Sequence, residues 1–124
     1  MGNGNNNFED LDAWKQSIEL AVSVYGLSKS FPKDELFSLT NQLRRSVSSV
    51  SANLAEGYGR YGLKEKVQFY KIANGSLLEA KSFCYLSNKL GYISDDDLKN
   101  ILNHFITCQK LITALIKSIR EKDV

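Results

Sequence analysis

Proline, histidine and metal-binding motifs are scarce in this chain, and each shortage excludes a class of protein. A single proline among 124 residues leaves too few turn signals for an all-β chain. Di-iron helical bundles need Glu-x-x-His motifs on two helices, but this chain has one histidine, His104, preceded at the relevant position by Ile101. We therefore expect no metal site and no cofactor.

Long apolar runs and targeting signals are also missing. No stretch approaches the roughly 18 apolar residues of a membrane span. The N-terminal sequence MGNGNNNF has no basic segment followed by an apolar one, so it does not resemble a signal peptide. We predict a disordered lead-in over residues 1–8 and one domain over residues 9–122.

The two cysteines, Cys84 and Cys108, lie within apolar helical patterns and outside any C-x-x-C motif. We interpret both as reduced core residues of a cytoplasmic protein, and a disulfide between two helices is the alternative. A G-x-S-x-G nucleophile elbow and a Walker phosphate loop are both absent. These absences favour a protein that is not an enzyme and has no small-molecule substrate.

Apolar residues recur at steps of three and four in four segments, which predicts an all-α chain. The first helix should run from about Leu11 to Ser30, with Asp10 or Asp12 as its cap. The second should begin at Asp34 or Glu35, and the glycine-rich stretch 57–62 should end it. The third should cover 63–90, and Ser94 should cap the fourth. Short connections between them predict an antiparallel up-down four-helix bundle.

Two features of the helices predict contacts with other helices. Small residues crowd the second helix between positions 46 and 55, where they would let a neighbouring helix approach closely. The third and fourth helices carry wider apolar arcs than one small bundle needs to bury. We therefore predict a homo-oligomer, with a cyclic ring as one arrangement.

Positive charge is concentrated in the middle of the chain. The net charge is −3 over residues 1–43, +5 over residues 44–89 and 0 over residues 90–124. A basic segment of this kind is either a binding surface for a polyanion or a solvated helix face. From composition alone we favour the solvated helix face.

Acidic and amide side chains in the second and third helices suggest a polar network. Glu56 ends the second helix, and Glu79 lies in an apolar stripe of the third. Paired carboxylates can serve acid–base catalysis, but buried ones are more often held by arginine or amide partners. We favour a structural network of Asn53, Glu56 and Glu79.

The segment from Tyr58 to Lys66 interleaves aromatic and basic residues on a glycine-rich corner. RNA loops and single strands are bound by such combinations of stacking and phosphate contacts. The alternative is structural: Gly59 and Gly62 would form the turn, the tyrosines would pack on helix ends, and Arg60 would pair with a carboxylate. We favour the structural interpretation for the tyrosines and leave both open for the arginines.

Three blocks of sequence resemble a known family. They are FEDL with Trp14, QLRRS through NLAEGYGR, and FYKIA with GSLLE, and the likeness extends from about Phe8 to the C-terminus. The chain resembles the four-helix bundle proteins encoded in intervening sequences of bacterial 23S rRNA genes. It is also similar to the accessory variability determinants of diversity-generating retroelements.

The resemblance implies an up-down bundle that assembles as a homopentamer and has no enzymatic activity. The retroelement relatives bind nucleic acid and a reverse transcriptase through a basic surface. Position by position, this implies five nucleic-acid-binding candidates: Arg44, Arg45, Arg60, Lys64 and Lys66. Our first hypothesis is a ring-forming bundle that binds RNA, DNA or a nucleoprotein partner. The second is a protein-interaction or structural scaffold without a nucleic-acid role.

Overall fold

The computed structural model describes residues 7–122, and in this range the secondary structure is entirely helical. Four long helices follow one another, and two short 3-10 turns, Phe8–Asp10 and Lys33–Glu35, precede the first and the second. The helices are α1, Asp12–Ser28; α2, Leu39–Tyr58; α3, Leu63–Lys89; and α4, Asp95–Lys122. The predicted all-α fold is confirmed. None of these helices is long and apolar enough to cross a membrane.

Contacts between named residues show that α2 and α3 are antiparallel. Ser76 of α3 hydrogen-bonds Ser49 of α2 at 3.0 Å, and Gly57, later in α2, lies against Phe69, earlier in α3. Gln16 in α1 contacts His104 in α4 at 3.2 Å. Each helix packs against its sequence neighbours and α1 packs against α4, so α1 and α3 lie diagonally across the bundle.

The core runs along the axis of the bundle and receives side chains from all four helices. Its largest fully buried members are Tyr70 and Phe105, surrounded by aliphatic side chains such as Leu20 and Leu43. Removing each aliphatic side chain from water stabilises the fold by roughly 1.5–3 kcal/mol. The apolar pattern of α2 lies in this core, whereas Ile18 and Tyr25 of the apolar pattern predicted for α1 are exposed, because α1 turns Leu20 and Val24 toward the core instead.

The closest helix packing is between α2 and α3, as the small residues of α2 predicted. A Cβ atom added to Gly57 would lie 2.8 Å from Phe69 Cβ and 2.9 Å from Tyr70 Cε1. Glycine at this position therefore lets the two helices approach. Gly57 was expected to begin the stretch that ends the helix, but it lies inside α2, which continues to Tyr58.

We call the end of the bundle that carries the α1–α2 and α3–α4 connections the closed end. Tyr92 donates a hydrogen bond to Glu35 at 2.9 Å, and its ring centroid lies 5.5 Å from that of Phe31. Gly91 adopts a left-handed φ of +84°, and the next backbone N–H bonds the carbonyl of Ser87 at 2.8 Å. Gly91 thus lies just past α3, in the left-handed conformation that is typical of a glycine at the end of a helix.

The predicted cap of α1 and the predicted start of α2 are wrong. Asp10 and Asp12 do not cap α1, whose N-cap position is Leu11 without a side-chain hydrogen bond. The helix α2 begins at Leu39 rather than at Asp34 or Glu35, because Lys33–Glu35 forms a separate 3-10 turn. By contrast, Ser94 caps α4 as predicted, since its Oγ accepts a hydrogen bond from the N–H of Asp97 at 3.1 Å.

The predicted domain boundary after residue 8 falls within the first 3-10 turn. Phe8 packs edge-on against Trp14 at a centroid distance of 5.2 Å, so Phe8 belongs to the folded domain. The predicted disordered lead-in otherwise covers residues 1–6, which lie outside the described residues, and Asn7, which precedes the turn.

Candidate nucleic-acid interface

Three neighbouring cavities lie at the end of the bundle opposite the closed end. We call this the corner end, because the connection over residues 59–62 turns the chain from α2 into α3 there. The cavities measure about 430, 390 and 230 Å³. The first and third share Ile119, and the second and third share Lys71 and Arg120. The three cavities therefore lie next to one another, and α3 and α4 contribute to the lining of the first and third, while the second lies along α4 beside Lys71 of α3.

These three cavities are lined mainly by cations, and we call them together the basic groove. Among the described residues lining it, the only carboxylate is Glu121. Its seven cations are Arg60, Lys64, Lys66, Lys71, Lys117, Arg120 and Lys122. Like charges gathered beside apolar walls create a positive potential that attracts polyanions.

The groove is basic because antiparallel packing brings the start of α3 beside the end of α4. The helix α4 begins with three aspartates and ends with Arg120 and Lys122, an arrangement that suits the helix dipole. These charges cancel along the sequence but are separated along the helix. The segment over residues 90–124 is therefore neutral in sum, yet its last turns are basic in space.

The largest of the three cavities, the corner cavity, combines aromatic and basic side chains. It is lined by Tyr58, Tyr61 and Tyr70, and by Arg60, Lys66 and Lys122. Tyr70 is 1% exposed, and burial raises the pKa of its hydroxyl to about 12. Tyr61, by contrast, is 100% exposed at the rim.

Two cations of the corner cavity also contact residues of their own chain. Lys66 donates a hydrogen bond to the carbonyl oxygen of Tyr58 at 2.6 Å, and its Nζ lies 5.2 Å from that ring. Burial, and next the charge of Lys122, lower the pKa of Lys66. Arg60 pairs with Glu56 at 3.1 Å and lies 4.7 Å above the ring of Phe69.

The structure divides the five predicted nucleic-acid-binding residues between two places. Arg60, Lys64 and Lys66 line the groove at the corner end. Arg44 instead bonds Ser28 at 2.9 Å and lies over the ring of Tyr25, on the α1 side of the bundle. Arg45 is exposed on α2 and does not line these cavities.

The predicted polar network of Asn53, Glu56 and Glu79 does not form in this chain. Asn53 donates to the carbonyl and the hydroxyl of Ser49, one turn earlier in its own helix. Glu56 pairs with Arg60 instead. Glu79 is exposed and bonds neither of them, because the stripe of α3 that carries it faces outward. The prediction of a shared network is therefore wrong.

Sequence reasoning missed part of the groove. Lys117, Arg120 and Lys122 lie far in sequence from the other cations of the groove, and in the sequence they are typical of charges near a helix C-terminus. The available signal was positional: in an up-down bundle the last turn of the fourth helix lies beside the first turn of the third.

The titratable side chains offer little for catalysis. No cluster of His, Cys, Asp or Glu within residues 7–122 could hold a metal ion. Cys84 and Cys108 are free and buried, and burial raises the pKa of their thiols to about 12 and about 11. Thiols of this kind are poor nucleophiles. His104 contacts Gln16 in a half-buried position between α1 and α4.

Comparisons with known proteins agree with this architecture. A crystal structure of a protein of unknown function from the S23 ribosomal protein family of Bacteroides thetaiotaomicron superposes with a TM-score of 0.75. The two chains are 23% identical, and the match covers 85% of this chain and 98% of the other. A search of curated proteins found no match. Residues 9–114 match the sequence profile of the 23S rRNA-intervening sequence proteins. This chain therefore belongs to the 23S rRNA-intervening sequence protein family.

Proposed function

We propose that this protein is a non-enzymatic, ring-forming helical bundle of the cytoplasm that binds RNA through its basic groove. The observation that carries the proposal is the convergence of seven cations and one carboxylate on the α3–α4 seam. Binding there would release counterions from the phosphate backbone, which makes such complexes sensitive to salt. The two buried free thiols fit a reducing compartment.

The shape of the groove also supports this proposal. Four of its cations, Lys64, Lys71, Lys117 and Arg120, line the two cavities between the helices. Lysine and arginine side chains in such positions contact phosphates without selecting a base sequence. The tyrosines lie at one end only, so stacking would be confined to the corner cavity. We therefore expect modest sequence preference.

The test is fluorescence anisotropy of a labelled single-stranded RNA across a salt series. The groove variant is Lys71→Glu with Arg120→Glu. Its matched control is Lys33→Glu with Lys99→Glu, which changes the net charge equally at the exposed closed end. We expect the groove variant to lose at least about tenfold in affinity and to show a shallower salt slope by about one to two units. The control should remain within about twofold of the native chain.

Equal losses in the two double variants would show that net charge, rather than the groove, drives binding. Binding of DNA in preference to RNA would correct the ligand. Absence of any binding to the native chain would favour the scaffold alternative described below.

Self-association is the second component of the proposal. Large apolar side chains are exposed on two separate faces: the α1 face, Ile18, Val22 and Tyr25, and the α3 face, Ile72, Leu78, Tyr85 and Leu86. Because α1 and α3 are diagonal, these faces point in different directions. A two-fold dimer needs one self-complementary face, whereas a ring joins two different faces. The two faces therefore favour a ring, and the family resemblance suggests five copies.

Mixing two interface variants would test the ring. Val22→Glu should disable the α1 face and Leu86→Glu the α3 face, so each variant alone should be monomeric by light scattering. An equal mixture should form a heterodimer and nothing larger, because only one intact pair of faces remains. Head-to-tail association would be contradicted if the mixture formed no complex, or if either variant alone formed a homodimer. The mass of the native assembly gives the copy number.

One observation favours the alternative, a structural scaffold that binds no nucleic acid. Arg60 and Lys66 already contact Glu56 and the Tyr58 carbonyl, so part of their bonding capacity is used within the chain. A scaffold predicts a stable ring together with salt-independent partner binding that the groove variant leaves unchanged.

A further inference from the structure

The corner cavity differs from the rest of the basic groove, since it lies at one end of it. Its volume of about 430 Å³ falls in the range of small-molecule sites. Beyond its wall, at Leu11, the chain carries three acids, Glu9, Asp10 and Asp12. A polyanion that follows the groove would be repelled there. The geometry therefore suits the end of a strand better than its middle.

The positive charges that line the cavity suit an anion that carries more than one negative charge. Lys66 and Lys122 both line it, and no carboxylate of a described residue does. Lys66 uses one of its three N–H donors on the Tyr58 carbonyl, which fixes its position and leaves two donors. Burial, and next the repulsion between the charges of Lys66 and Lys122, lower the pKa of Lys66. A bound anion would relieve that repulsion.

The aromatic residues suit a base attached to that anion. Tyr61 is 100% exposed on the rim, so its ring is accessible for a nucleotide base to stack on. Arg60 contacts Glu56 and the ring of Phe69, and these contacts anchor the connection that carries Tyr61. Tyr70 also lines the cavity and can offer its hydroxyl as a donor to a ligand there.

We propose that the corner cavity binds the phosphorylated terminal nucleotide of an RNA strand. Lys66 and Lys122 would hold the terminal phosphate, Tyr61 would stack on the base, and the Tyr70 hydroxyl would donate a hydrogen bond. A terminal phosphate carries nearly two negative charges at neutral pH, whereas an internal phosphodiester carries one. Two lysines in a cavity that no described carboxylate lines therefore favour the terminus. This inference rests on RNA binding in the groove.

The experiment compares three labelled RNAs of about ten nucleotides, a length typical of single-strand sites. One carries a 5′-phosphate, one a 3′-phosphate and one a hydroxyl at both ends, and each carries its dye at an internal position. We expect one phosphorylated RNA to bind about tenfold more tightly than the hydroxyl RNA. The end that shows the gain identifies the strand polarity.

Variants then assign the gain to the cavity. Lys122→Gln and Tyr61→Ala are both exposed changes and should leave the fold intact. Each should reduce affinity for the phosphorylated RNA to near that of the hydroxyl RNA. Lys33→Gln, which removes one exposed charge at the closed end, should preserve the difference.

Equal affinity of the native chain for all three RNAs would overturn this inference, while salt-dependent binding lost in the groove variant would still support the proposed function. If no RNA binds, titration with adenosine monophosphate and with adenosine, followed by NMR, decides the matter. Shifts around Tyr61 with the monophosphate alone would support the cavity. No shifts with either compound would reject it.

Discussion

At the closed end of the bundle, polar side chains find partners within the chain. Glu35 accepts hydrogen bonds from Ser38 at 2.7 Å and from Tyr92 at 2.9 Å, and Asn88 bonds both the carbonyl of Ile93 and Asp95. At the corner end, Lys64, Lys71 and Lys122 have no such partner among the described residues, and Tyr61 is fully exposed. The same four helices thus end in two different ways.

The difference separates stability from binding. Hydrogen bonds between a connection and the helices stabilise the native state. Repulsion among neighbouring cations slightly lowers the stability of the native state. Sites that bind ligands commonly carry such costs. We therefore expect substitutions at the closed end to change unfolding and substitutions at the corner end to change binding, with one exception.

The exception is Gly57, which lies at the corner end but packs tightly between α2 and α3. Gly57→Ala places a Cβ atom 2.8 Å from Phe69 Cβ, so the helices must separate. We expect the unfolding free energy to fall by about 1–3 kcal/mol in urea titrations. Gly26→Ala is the control, since nothing lies within 4 Å of the added atom, and it should raise stability by roughly 0.5–1 kcal/mol. Equal effects of the two substitutions would contradict the close approach.

The same substitution at each end tests the comparison directly. Tyr92→Phe removes the hydrogen bond to Glu35 and should lower the urea midpoint, by less than Gly57→Ala does. Tyr61→Phe removes a hydroxyl that is fully exposed, so the midpoint should not move. A larger loss at Tyr61 than at Tyr92 would reverse our assignment of the stabilising end.

The smallest expected effect is on pH dependence. Hydrogen bonds from Ser38 and then from Tyr92 lower the pKa of Glu35 below its usual value of 4.5. A lowered acid pKa stabilises the fold above the unfolded value, and this contribution is lost as pH falls through the folded value. The hydrogen bond to Glu35 raises the pKa of Tyr92 above its usual 10.0.

The difference in urea midpoint between the native chain and Tyr92→Phe should therefore be largest between pH 4.5 and pH 10.0 and should shrink below pH 4.5. Tyr61→Phe should match the native chain across the range. A difference that persists unchanged in acid would mean that the Tyr92 hydroxyl acts through another contact.

Much of the fold could be predicted because it depends on local patterns. The apolar periodicity locates the four helices. Ser94 marks the N-terminus of α4, which it caps, and Gly91 marks the end of α3. The start of α2 could not be found in the same way. Glu35 has the charge of a helix N-terminus, but its carboxylate is bound by a tyrosine 57 positions later. Sequence gives no sign of a contact at that separation.

The candidate site was only half predictable for a related reason. Arg60, Lys64 and Lys66 are close together in the chain, so their clustering is visible. Arg120 and Lys122 join them only because α4 returns to the corner end. The prediction for Glu79 is wrong for a different reason. Apolar residues flank it in the sequence, yet that side of α3 is not covered by another helix of the chain.

The two buried cysteines allow transient opening of the helix bundle to be measured. Cys84 in α3 and Cys108 in α4 are 0% exposed, and their raised pKa values keep them as unreactive thiols in the folded state. Alkylation at either position therefore requires the bundle to part. A cysteine introduced on the rim would consequently be modified alone, and slow labelling of the native pair would measure how often the core is transiently exposed.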